Sequence, residues 1–69
     1  MNAAAKYTAA EKHKSVLREL AFRRTVYARR VEMRTMTQVK ADFEIGIMQA
    51  IVDDYRKLAE VEDKAGRLI

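Results

Sequence analysis

The chain has no cysteine, no proline and only two glycines. Without cysteine there is no disulfide to staple a small domain and no thiolate to hold a metal, and the composition suits a reducing cytosol. Glycine is scarce and the β-branched residues recur at helical spacing, so the alternation that marks strands is missing. A long apolar run is missing too. The longest, residues 45–52, is interrupted by Gln49 and is far too short to span a bilayer. Met1-Asn2-Ala3-Ala4-Ala5-Lys6 lacks the apolar core of a signal peptide. A soluble, cytoplasmic protein is expected.

Catalytic constellations are also lacking. His13 is the single histidine, set among Glu11, Lys12 and Lys14 near a helix start, where a solvated side chain is expected. Ser15, Thr25, Thr35 and Thr37 have no base within reach by spacing. Asp53 and Asp54 are neighbours, which on a helix points them about 100° apart and prevents them from sharing a proton or a metal. There is no glycine-rich phosphate loop. No enzyme activity, cofactor or metal is expected.

What is present is an amphipathic, highly charged chain: 49% apolar and 35% charged residues, with a net charge of +4. That balance excludes disorder and fits an all-helical domain. The charge is uneven. Residues 1–36 carry nine Lys or Arg against three Glu, and residues 37–69 carry five against seven acidic residues. A basic first half beside an acidic second half favours antiparallel pairing of the two, and gives the first helix a field that attracts acidic proteins or phosphates.

Thr8-Ala9-Ala10-Glu11 reads as a capping box. Residues 1–7 are then a tail, and a first helix is predicted over 8–34. Its core stripe is Leu17, Leu20, Ala21, Tyr27, Ala28 and Val31. Arg34-Thr35-Met36 forms the turn. Thr37 caps a second helix over 37–65, with Asp42 near its positive end and Gly66 as a left-handed C-cap. Each helix would be roughly 40 Å long. Two such helices joined by a short turn fold back as an antiparallel hairpin, forming one domain. Gly46, inside the second helix, is expected to mark a close helix crossing.

The second helix is apolar on two opposite sides of a helical projection. Val39, Phe43, Ile47, Ala50, Ile51, Leu58 and Val61 share one side; Ala41, Ile45, Met48, Val52, Tyr55 and Ala59 share the other. One neighbouring helix covers one stripe only. A chain of 69 residues is near the size where a single core barely offsets conformational entropy, so pairing of subunits is the remaining source of buried area. Ile45, Met48, Val52, Tyr55 and Ala59 have the 3-4-3-4 spacing of a knobs-into-holes seam. They are the expected homodimer contact, which would join two hairpins into a four-helix assembly.

On the first helix, Phe22, Val26 and Met33 line up within about 40° opposite the core stripe. Arg18 and Arg29 border them on one side, Glu19, Arg23 and Arg30 on the other. A small apolar strip with an aromatic residue and an arginine rim has the makeup of a protein-binding hot spot. The expected partner site is therefore Arg18, Phe22, Val26, Arg29, Arg30 and Met33. The same arginines also fit a nucleic-acid accessory protein. Against this, a helix-turn-helix needs a bracing helix, and the apolar strip occupies the face that would meet phosphates. Membrane-surface binding fits less well, because neither helix sets a wide apolar face against a wholly basic one.

From Arg18 to Tyr55 the chain resembles a group of short α-helical proteins encoded by temperate phages and prophages. The resemblance runs through Arg18-Glu19-Leu20-Ala21, Val26-Tyr27-Ala28-Arg29, Met36-Thr37 and the stretch from Ile45-Gly46-Ile47-Met48 to Asp53-Asp54-Tyr55, and covers just over half of the chain. Those proteins commonly place Pro after the Val-Tyr pair and Gly before the Met-Thr step; Ala28 and Arg34 stand there in this chain. Ala28 keeps the helix straighter, and Arg34 makes the turn less permissive. In length and helical build the chain is also similar to a phage quorum-sensing anti-activator that binds a LuxR-type transcription activator and the type IV pilus assembly ATPase. No binding residue is carried over from it. The resemblance implies an inhibitor that covers a surface of a host protein; a nucleic-acid accessory protein and a phage assembly factor are the other functions expected of such a chain.

Overall fold

Thr8 starts the first helix. Its hydroxyl accepts from the Glu11 amide at 3.0 Å, and the Glu11 carboxylate accepts from the Thr8 amide at 2.8 Å, so two otherwise orphaned amides are satisfied. The computed structural model describes residues 6–67. It holds two helices, α1 (Ala9–Glu32) and α2 (Gln38–Arg67), and no strand among the described residues. Of the expected tail at 1–7, residues 1–5 lie outside them, and Lys6 and Tyr7 precede the helix.

The helix α1 ends in a Schellman motif. The Arg34 amide donates to the Val31 carbonyl at 3.0 Å and the Thr35 amide to the Arg30 carbonyl at 2.9 Å, with Arg34 at φ 62°. This left-handed position normally takes glycine. Thr37 then caps α2, its hydroxyl accepting from the Lys40 amide at 3.1 Å. Asp42 lies beyond the first turn of α2, which carries no acidic residue, so it adds little at the dipole. Its carboxylate instead accepts from the Gln38 side chain at 2.8 Å.

Two expectations about glycine are corrected. Gly66 is helical rather than left-handed, and α2 runs past it to Arg67. A Cβ built at Gly46 meets nothing within 4 Å, so no close crossing lies there.

The hairpin is held by a thin seam. Leu20 of α1 is buried against Met48 and Val52 of α2, with Val16, Ile45 and Ile51 packed around them. Ala9 and Ala41 are buried towards the two ends. At the open end, the Ala9 amide donates to the Glu62 carboxylate at 3.0 Å, placing a negative charge from α2 at the positive end of α1. No described side chain is fully enclosed.

The seam differs from the expected one on both helices. On α1, Leu20 is buried and Tyr27 and Val31 half-buried, but Leu17, Ala21 and Ala28 are exposed and Val16 packs in their place. Ala21 and Ala28 have only methyl groups to bury, so turning Val16 inwards removes more apolar area from water. On α2 the two stripes exchange roles. Met48 and Val52 are buried, and Ile45, Tyr55 and Ala59 half-buried. The residues expected to meet a second copy form the hairpin's own seam. Asp54 falls mid-way across the other stripe, whereas the stripe turned to α1 holds no charged residue from Ala41 to Ala59, so the seam forms without burying a carboxylate.

Candidate interaction surface

With the seam fixed, the outer stripe of α2 is left bare. Val39, Phe43, Ile47, Leu58 and Val61 are between 45 and 80% exposed. On α1, Phe22 and Met33 are exposed to a similar degree and Val26 is half-buried. Arg18, Arg29 and Arg30 are all exposed. The sequence therefore placed the α1 strip on the surface, but missed which α2 stripe accompanies it.

Contacts between the helices show how the two strips lie. On one broad face of the hairpin, Arg24 donates to the Gln49 carbonyl oxygen at 3.0 Å. Arg24, Ala28, Gln38 and Asp42 line a shallow depression there. On the other broad face, the Lys12 ammonium sits 5.9 Å from the centre of the Tyr55 ring. Projected along each helix, Phe22, Val26 and Met33 fall on the Lys12 side of α1, and Ile47, Ile51 and Leu58 on the Tyr55 side of α2. The two strips thus lie on one broad face of the hairpin, with Glu19, Arg23 and Arg30 of α1 between them. Phe43, Asp54 and Val61 follow at its α2 edge, and Arg18 and Arg29 at its α1 edge.

The opposite face is polar. Gln38 donates to Asp42, Gln49 donates to Asp53 at 3.1 Å, and Arg24 donates to Gln49, so this face already satisfies its own groups. The apolar face carries two charge pairs made within their helices: Arg23 with Glu19 at 3.3 Å and Lys40 with Glu44 at 3.1 Å. The bond to Glu19 raises the Arg23 guanidinium above its ordinary pKa, which leaves its charge unchanged at any physiological pH. Exposed pairs of this kind contribute little to stability.

His13 is half-buried, not fully solvated as expected. Among the described residues no group of three or more His, Cys, Asp or Glu is placed to hold a metal, and no helix is long and apolar enough to cross a membrane. The larger depression, about 270 Å³, is an open trough along Tyr7, Glu11, Lys12 and Ser15, where the Glu11 carboxylate accepts from the Thr8 amide and hydroxyl. No protein-family model matches the chain, and no curated protein or solved structure matches it.

Proposed function

We propose that this chain is a protein-interaction module: a helical hairpin that pairs with a copy of itself into a four-helix assembly and inhibits a target protein by covering a surface that the target needs. The observation that carries this reading is the apolar face across α1 and α2, whose large side chains remain exposed after the hairpin has formed. Faces of this size on small monomers mark interaction sites. Arg29 and Arg30, exposed and without a side-chain partner among the described residues, supply forked donors for carboxylates or carbonyls of the target.

The targets come from the chain's similarity in length and helical build to the phage quorum-sensing anti-activator: a LuxR-type transcription activator, the type IV pilus assembly ATPase, or both, in the cytoplasm of a host cell. Titration calorimetry of the purified chain against each purified target tests this. Saturable binding is expected, weakened about tenfold or more when Arg29→Glu and Arg30→Glu are combined. Binding to neither target, together with tight and steeply salt-dependent binding to random duplex DNA, would replace this reading with that of a nucleic-acid accessory protein.

A further inference from the structure

The apolar face has the area and the charge pattern to receive a second copy of this chain in one particular arrangement. A compact monomer of 8.0 kDa exposes about 4,450 Å². This chain exposes 5650 Å², an excess of about 1,200 Å² spread over the whole elongated molecule, and a stable dimer contact buries about 800 Å² on each partner. Two charge pairs on the face, Arg23 with Glu19 and Lys40 with Glu44, are made within their own helices and need no partner from a second copy.

Two stackings with two-fold symmetry are available. An axis across the hairpin lays α1 on α1, bringing the basic helices together. An axis along the hairpin lays α1 of each copy on α2 of the other, basic half on acidic half. Charge selects the second. It also fixes the register, because an axis parallel to the helices keeps every residue at its own level. Arg24 bonds to Gln49 and the Ala9 amide to Glu62. Counting from these two contacts along the antiparallel helices sets Phe22 level with Ala50 and Arg18 level with Asp54.

We propose that two hairpins stack through the composite apolar face in this way, with Phe22 of each copy seated over Ala50 between Ile47 and Ile51 of the other, and Arg18 paired with the other copy's Asp54. The large ring meets the small residue of the stripe, as interdigitated packing requires. Asp54 breaks the apolar stripe of a lone hairpin; in the pair it gains the cation that it lacks there. The polar face stays outside and remains available to a target.

This inference rests on the reading that the hairpin pairs with itself, and sedimentation equilibrium of the full chain separates the two, with circular dichroism as the check on folding. The wild type is expected to be a dimer at micromolar concentration. Phe22→Asp is expected to raise the dissociation constant at least about a hundredfold while helicity persists at high concentration, and Leu17→Asp on the polar face is expected to change little. Arg18→Glu is expected to weaken pairing about tenfold, and Asp54→Arg in the same chain to restore it. A dimer indifferent to Phe22→Asp, or a double variant no tighter than Arg18→Glu alone, overturns this arrangement and leaves self-pairing standing. A wild type that stays monomeric at all concentrations overturns both.

Discussion

Leu17 and Leu20 are three positions apart, and the sequence pattern puts both on the core stripe of α1. In the structure Leu20 is 3% exposed and Leu17 is 47% exposed. Periodicity gives the existence of a stripe, but its centre depends on what the facing helix offers, and here Val16 outweighs two alanines. The difference is measurable by urea unfolding. Leu20→Ala should lower stability by about 2–5 kcal/mol, the range for emptying a packed site, whereas Leu17→Ala should stay within about 1 kcal/mol. Equal losses at the two positions would put the seam where the sequence pattern has it. Asp54 is the residue-scale signal that reading the stripes alone overlooks. A carboxylate in mid-stripe already says which side of α2 cannot face α1 without a cation.

Both helices, their order and the hairpin were legible because their signals are local. The Thr8–Glu11 box and the Thr37 cap each involve residues three apart in sequence. What was less legible is the turn. Arg34 stands at φ 62°, in a conformation that disfavours any residue with a Cβ by about 1 kcal/mol or more. Nothing in its own identity announces this. The Schellman bonds at Val31 and Arg30 impose it once α1 must stop and reverse. Arg34→Gly is therefore expected to raise the urea midpoint, adding about 0.5–1 kcal/mol of stability after allowing for glycine's freedom in the unfolded chain. A lowered midpoint would mean that the Arg34 side chain contributes more than its backbone strain removes. The far end of α2 escaped sequence reading for the opposite reason: Gly66 keeps a helical backbone and the helix continues to Arg67, so the glycine there is not a stop signal.

As a whole the molecule is long and thin, 53 × 21 × 15 Å with a radius of gyration of 15.8 Å, where a compact chain of this length would have about 11 Å. Two helices have a seam but no interior, and every large apolar residue off the seam stays wet. This surplus was visible in the sequence as a second stripe on α2. That it joins the Phe22-Val26-Met33 strip into one face was not visible, because that depends on the rotation of each helix about its own axis. A fold whose stability comes partly from covering this face must depend on how many copies are present. The direct measurement is the thermal midpoint over a hundredfold range of protein concentration. For a two-state dimer of this size it should rise by about 5 °C for each tenfold increase. A midpoint that stays the same from micromolar to the highest concentration tested would show that a lone hairpin is stable with its apolar face in water, contradicting the account at its base.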